Sequence, residues 1–497
     1  MSQQVPRRRL VGLVLGPVIF VILSLLPPPP LMDGAAWTTT AVAALMAVWW
    51  ISEAIPIPAT ALLPLLLFPV TGVMPFEDTA APYANPVIFL FLGGFVLAQA
   101  MKRWKLHRRM ALRVILVAGT KPIPLIGGFM IAAAFLSMWV SNTATAVMML
   151  PIGLSVIQLI DRNADSRPDD GERQGTGADS LATGRNFAVA LMLGIAYACS
   201  IGGLGTLIGT PPNAFLAGYF AEHHDIEIGF GQWMLVGLPI VIVGLPIAWV
   251  VLTRWVYPVR LEEIPGGRDT ILDELREMGS LVRGEKLVGA VFVLTAAAWI
   301  TRPILERWVP GLTDEGIAIT AAIVLFLLPV EPRRGTFVLD WDSAKELPWG
   351  VLVLFGGGLS LAGAITDTGL AEWIGGSLAD LGIEVLPMIA VLLIITTIII
   401  FLTELMSNTA AAAAFLPILA SLAIGIGEAP LILAAPAALA ASCAFMMPVA
   451  TPPNAIVYGS SFITIPQMVR AGIVLNLAFA ALVSVLGLLL VGLVFAP

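Results

Sequence analysis

Apolar runs close to the ~20 residues that carry a helix across a bilayer recur along this whole chain, and they decide its class before any motif is read. None shows the ten-residue alternation of an outer-membrane strand, so the expected fold is an all-α polytopic membrane protein. Composition agrees: of 497 residues 58% are apolar and 12% charged, which leaves too little charge for the surface of a soluble globular protein. Nucleic acid is therefore not an expected partner. Cys199 and Cys443 both lie in apolar segments, with no disulfide framework and no metal-ligand spacing, and read as small packing residues.

Arg7, Arg8 and Arg9 precede an apolar stretch at 10–26, in the manner of a signal peptide. Pro27 to Pro30 follow without a small-residue cleavage site, so this is read as a retained first span. Further spans are expected at 36–52, 57–74, 87–101, 187–220, 233–255, 287–300, 316–330, 349–365, 431–461 and 473–495, eleven crossings in all. Two apolar stretches, 122–159 and 386–424, are left over, each with Ser-Asn-Thr near its middle.

With the amino terminus inside, and each leftover stretch returning to the face it entered from, 24 of the 26 Lys and Arg fall on the cytoplasmic side. Only Arg302 and Arg307 fall outside, as the positive-inside rule requires. This charge pattern fixes an even number of crossings for each leftover stretch and allows a helix pair or a re-entrant hairpin equally. The multi-pass chain is expected in the plasma (inner) membrane, amino terminus cytoplasmic and carboxyl terminus outside. Residues 161–185 read as a mobile cytoplasmic loop. Residues 102–113 and 367–381 read as amphipathic arms at the interface, the first a solvated basic face.

Three blocks occur twice in the same order: FLGGFVLA at 91–98 and FGGGLSLA at 355–362, SNTATA at 141–146 and SNTAAA at 407–412, TPPNA at 210–214 and 451–455. Three collinear matches mark a duplication. By the charge pattern the first span of the series runs inward and its mate outward, so the repeat is inverted. In an α-helical membrane protein that is the mark of a secondary transporter, with its site near the midplane where the halves meet.

Pro211-Pro212 and Pro452-Pro453 remove backbone donors inside long apolar segments, so the carbonyls before them lose their partners. Such backbone persists at membrane depth only when buried in protein or lining a wet cavity. Freed carbonyls with Ser, Thr and Asn oxygens suit an alkali cation, while helix starts at Ser-Asn-Thr present N–H groups, an amide and a hydroxyl to an anion. A single Ser-Asn-Thr would read as interhelical glue; its duplication beside Thr-Pro-Pro-Asn reads as a site. Gly93, Gly94 and Gly356 to Gly358 read as close helix packing only. No Lys, Arg or His lies near the blocks, the histidines being His107, His223 and His224. The charge that compensates an anion must then arrive with it, and sodium is the expected coupling ion. Glu404, the one acid beside a block, can tune a cation site or serve as a bonded structural carboxylate; Glu53, at a tight turn, reads as structural. The nucleophile, carboxylate pair or His cluster of an intramembrane enzyme is missing, so no enzyme and no prosthetic cofactor are expected. A channel suits the paired polar blocks less well than alternating access.

The paired blocks SNTATAVMMLP and SNTAAAAAFLP, with GTPPNA, ATPPNA and WWISEAIPIPATALLPLLLFP near the amino terminus, closely resemble the divalent anion:sodium symporter family over nearly the whole chain. The resemblance implies eleven transmembrane helices plus two re-entrant hairpins with Ser-Asn-Thr at their tips. It also implies a homodimer built on a scaffold domain, 1–118 and 258–384, and a transport domain, 119–257 and 385–497, that moves as an elevator. A first sodium site would use Ser137, Ser141, Asn142 and the Gly209 carbonyl; the second would use Thr403, Asn408 and the carbonyls of Met406 and Ala450. Substrate carboxylates would meet Asn142, Thr143, Asn408, Thr409 and Thr451, with Thr210 and Ser407 nearby. The implied function is sodium-coupled uptake of a C4-dicarboxylate such as succinate, fumarate or malate. Sulfate or citrate carriage and sodium-independent exchange are the alternatives.

Overall fold

The computed structural model describes residues 7–119, 121–165, 176–261, 267–379 and 385–495. Ten helices among them have the length and apolar composition to cross a membrane. Eight coincide with expected spans. The other two, Asn142–Ile160 and Asn408–Gly425, are the outgoing helices of the two leftover stretches.

The remaining expected spans are shorter or broken, for local reasons. Pro58 and Pro64 split the third apolar run, 57–74, into Ile57–Thr60 and Leu63–Thr71, since proline lacks the donor a continuing helix needs. Asp314–Leu327 has 14 residues, ending where the chain turns into a small antiparallel ribbon at Pro329–Glu331 and Thr336–Phe337. The segment 431–461 divides into Pro430–Ala441 and Pro452–Tyr458. Its repeat mate divides likewise, into Thr176–Gly203 and Pro211–His223. Of the expected loop 161–185, residues 166–175 lie outside the described residues; the flanking helices reach Asp165 and begin again at Thr176. Helical hydrogen bonding continues there past the apolar sequence that defined the span.

The helices pack closely both within and between the two repeats. Arg7–Leu25 lies on Gly34–Ser52, Gly34–Ser52 on Trp349–Asp367, and Pro86–Arg103 on Asp314–Leu327. Pro122–Ser137 packs on Thr176–Gly203 and on Leu106–Ala118, Met388–Thr403 on Pro430–Ala441 and Ile465–Val494, and Leu370–Ala379 on Asn408–Gly425. The glycines of the repeated blocks do what close packing asks of them. A Cβ on Gly357 would lie 1.9 Å from the Ala61 carbonyl oxygen, and one on Gly93 would lie 2.6 Å from the Ala318 backbone.

The stretch 102–113 departs in part from the solvated basic face expected of it: Lys102, Lys105 and Arg113 are exposed, whereas Arg109 is buried. Lys102 pairs with Glu346 at 3.4 Å and Arg103 with Asp340 at 2.6 Å, while Arg108 pairs with Glu274. Arg109 is buried and pairs with buried Glu285 at 2.7 Å, also donating to the carbonyls of Met278 and Gly279 at 3.1 and 2.9 Å. These acids sit more than 150 positions away in sequence, so the pattern of 102–113 by itself carried no sign of them. Glu53 is structural: it closes Gly34–Ser52 in a left-handed conformation (φ 50) and pairs with Arg9 at 3.1 Å.

Candidate functional site

Each Ser-Asn-Thr block sits where one helix ends and the next begins. In the first, Pro122–Ser137 stops and Asn142 opens Asn142–Asp165. The Ser141 hydroxyl accepts from the Ala144 N–H at 3.3 Å, tying off the new helix start. One end of the Asn142 amide lies 3.1 Å from the Cys199 carbonyl oxygen and 3.3 Å from that of Gly209, and meets the Ser137 hydroxyl. With the amide nitrogen inward, all three oxygens receive a donor. With the amide turned, its oxygen joins the three as a fourth neutral oxygen, the ligand type a hard cation takes. Space here depends on glycine: a Cβ on Gly203 would lie 3.1 Å from the Asn142 amide and 2.9 Å from the Gly209 oxygen.

In the second repeat Met388–Thr403 ends and Asn408 opens Asn408–Gly425. The Thr403 hydroxyl donates to the Ile400 carbonyl at 3.0 Å. The Asn408 Oδ1 is buried and has no protein partner, leaving an acceptor free. Glu404, 3% exposed, decides between its two sequence readings in favour of the structural one. Its carboxylate accepts from the N–H groups of Phe445, Met446 and Met447 at 2.8, 2.8 and 2.9 Å and from the Asn476 amide at 2.8 Å. It thereby ties the tip of the second helix pair to the break in the neighbouring helix. By the repeat register Glu404 corresponds to Met138, where the tie has the opposite polarity: the Thr206 hydroxyl donates to the Met138 carbonyl at 2.5 Å.

Thr210 and Thr451 cap the helices that restart after the breaks, both in extended backbone (φ −147 and −139), with prolines at the first two helical positions where no donor is needed. Pro211–His223 packs against Asn408–Gly425 and Pro430–Ala441 of the other repeat, and Pro452–Tyr458 packs against Asn142–Asp165 and Thr176–Gly203. The repeats therefore interlock, each broken helix reaching the other half. The buried Thr210 hydroxyl meets that of Ser442 at 3.0 Å. Thr409, Thr451, Gly209, Ala450 and Met406 are buried, Ser407 is half-buried and Thr143 is exposed.

Gly203, Ser442 and Asn476 were not among the residues the sequence singled out, and Cys199 was read only as a packing residue. The Cys199 contribution is a main-chain carbonyl, invisible to residue type. Asn476 did leave a trace, as a single amide in the long apolar segment at the carboxyl end.

A model of the sodium:sulfate symporter transmembrane region matches residues 7–495. The chain belongs to this family. Among its relatives, the sodium-dependent dicarboxylate transporter SdcS of Staphylococcus aureus strain USA300 is 45% identical over 479 residues, covering 96% of this chain and 90% of SdcS. The protein of that name from strain NCTC 8325 matches to the same extent. Two solved transporters share the fold at low identity. Neisseria gonorrhoeae MtrF, described as illuminating a class of antimetabolite efflux pumps, has a TM-score of 0.55 at 14% identity over 99% of this chain and 95% of its own. The YdaH transporter of Alcanivorax borkumensis has a TM-score of 0.51 at 15% identity over 98% and 97%. The residues whose chemistry could hold a cation are those around Asn142 and Asn408. The ties made by Glu404 and Thr206 set the shape of the backbone around them.

Proposed function

We propose that this chain is a secondary active transporter that couples inward sodium movement to uptake of a C4-dicarboxylate such as succinate, fumarate or malate. The observation that carries the reading is the oxygen cluster around the Asn142 amide, at a helix start duplicated by Asn408. Neutral oxygens converge there with no basic residue in the motif, so an anion's charge must be offset by a co-bound cation. The start of Asn142–Asp165 and that of Asn408–Gly425 present backbone N–H groups, an asparagine and a threonine, which suits two carboxylates. Likeness to SdcS over nearly the whole of both chains favours sodium and a dicarboxylate.

In this reading Ser137, Ser141, Asn142 and the Gly209 carbonyl hold one sodium, and Thr403, Asn408 and the carbonyls of Met406 and Ala450 hold the other. Asn142, Thr143, Asn408, Thr409 and Thr451 meet the substrate, with Ser407 beside them. Thr210 is placed less directly, since its hydroxyl is engaged by Ser442. Pro122–Ser137 and Met388–Thr403, each 16 residues and so about 24 Å long, fall short of a ~30 Å hydrocarbon core, which favours re-entrant hairpins. In the same reading residues 1–118 and 258–384 form a scaffold, and 119–257 and 385–497 an elevator-like transport part. Arg7–Leu25, with 11% of its apolar window buried, leaves a face for lipid or for the second copy of a homodimer. The amino terminus is placed in the cytoplasm and the carboxyl terminus outside the plasma membrane.

The deciding experiment is uptake of radiolabelled succinate into proteoliposomes under an inward sodium gradient against a matched potassium one, with fumarate, citrate and sulfate as competitors. Sodium-dependent uptake blocked by fumarate is expected. Competition by sulfate or citrate but not fumarate would replace the substrate class, and exchange indifferent to sodium would replace the symport reading.

A further inference from the structure

The asparagine of each Thr-Pro-Pro-Asn block does something that neither the motif nor the sodium-site reading assigns to it. Asn213 is fully buried, and its amide nitrogen donates to the carbonyls of Gly203, Leu204 and Thr206 at 3.1, 3.4 and 2.9 Å. Asn454, equally buried, donates to the carbonyls of Ala444 and Met447 at 3.2 and 3.1 Å. In both repeats the bonds reach back ten and seven residues, so each side chain spans its own break and closes the irregular backbone into a loop. The Oδ1 atom of each is buried with no partner. Because only carbonyl acceptors face the other end of each amide, its nitrogen is directed toward them.

These bonds select which carbonyls stay free. Asn213 occupies those of Gly203, Leu204 and Thr206, and the next one along the loop that faces the Asn142 amide is Gly209. The Gly203 backbone wedges between them, since a Cβ on Gly209 would lie 2.4 Å from the Gly203 oxygen. In the second repeat Asn454 and the Ala450 N–H share the Met447 carbonyl, the latter at 3.2 Å, while Glu404 holds the Met447 N–H. The backbone leading to the Ala450 carbonyl is thereby pinned from both sides.

We propose that Asn213 and Asn454 are positioning residues for the two cation sites: each holds its broken helix so that one main-chain carbonyl, Gly209 or Ala450, faces the site. The inference rests on the sodium-coupled reading above. Neither side chain needs to touch the ion. What each supplies is the aim of a carbonyl in backbone that no helix holds.

The test titrates sodium against succinate uptake by full-length protein in proteoliposomes, for the wild type, Asn213→Leu, Asn454→Leu and the two Ser variants. Leucine keeps the branched outline and removes the donors; serine keeps one donor on a shorter arm. The sodium dependence of the melting temperature in detergent gives a second readout free of transport. Each Leu variant is expected to raise the sodium concentration for half-maximal uptake about tenfold, the scale of one lost net hydrogen bond, and to raise the sodium midpoint of thermal stabilisation in parallel. The maximal rate per folded transporter should change far less, and the Ser variants should fall between. Lower maximal rates with unmoved sodium midpoints would overturn the proposal and leave the asparagines as ordinary packing. If the Leu variants do not yield folded protein, the same decision is taken on the Ser variants. A wild type indifferent to sodium in both readouts would remove the transport reading and this inference together, whereas a sodium-dependent wild type with unmoved variants removes this inference alone.

Discussion

Thr210 and Ser442 meet hydroxyl to hydroxyl at 3.0 Å, joining the break in one repeat to the end of Pro430–Ala441 in the other. Both are buried, so each is the other's means of avoiding an unpaired hydroxyl in an apolar setting. Ser442→Ala is expected to cost about 1 kcal/mol of stability, and Thr210→Val a similar amount. Because each change strands the same bond, the double variant should cost less than the two added together. Melting of the four proteins in one detergent checks this, and strictly additive shifts would mean that the bond contributes nothing.

Asn142 and Asn408 open the two helices on which the transport reading depends. Replacing either with Ala is expected to lower sodium-coupled uptake about 10- to 100-fold, the effect of losing one or two hydrogen bonds to charged ligands. Folded yield should be unchanged, because both side chains are only half-buried. Size-exclusion profiles run beside the uptake assay separate the two effects. Wild-type uptake by either variant at normal yield would dismiss the site assignment.

Glu404 answers to stability rather than to the ion directly. Glu404→Ala leaves the Met446 and Met447 N–H groups without their acceptor and removes one partner of Asn476, a loss of about 3 kcal/mol or more. Glu404→Gln should be milder yet clearly destabilising, since its NH2 group would face backbone donors. Asn476→Ala should be milder than Glu404→Ala, since it removes only one of the four donors. The measurement is the melting temperature with the yield of monodisperse protein; an Ala variant as stable as the wild type would refute this role.

Arg109 and Glu285 form a buried pair joining Leu106–Ala118 to Arg283–Leu305. Removing one partner leaves the other charge unpaired, so Arg109→Ala or Glu285→Ala should each cost about 3–5 kcal/mol. The double replacement Arg109→Met with Glu285→Leu should be more stable than either single Ala change. Single variants that melt within a degree of the wild type would show that water reaches the pair.

Much of the architecture was legible because hydropathy and duplication are written along the chain. Eight spans fell where the apolar runs put them, and the Pro-Pro pairs marked both breaks, since a missing donor acts on its own helix. The site was legible only as far as its residue types. Asn142 stood out as a duplicated amide, whereas the Cys199 carbonyl opposite it could not, because every residue carries one. The arm at 102–113 was misread in part for a related reason: Arg108 and Arg109 pair with Glu274 and Glu285, and nothing local distinguishes a paired arginine from a solvated one.

From the amino acids alone came the membrane class, the inverted repeat and the two pairs of polar blocks, each a pattern of neighbours or of repeated neighbours. The tertiary structure alone decided how those blocks meet. It placed Glu404 against Phe445 to Met447, Thr210 against Ser442, and Asn213 and Asn454 across their own breaks. The physical reason is that a polar group in an apolar interior must find a partner wherever the crossing helices bring one. Which helices cross is a property of packing rather than of any local stretch of sequence.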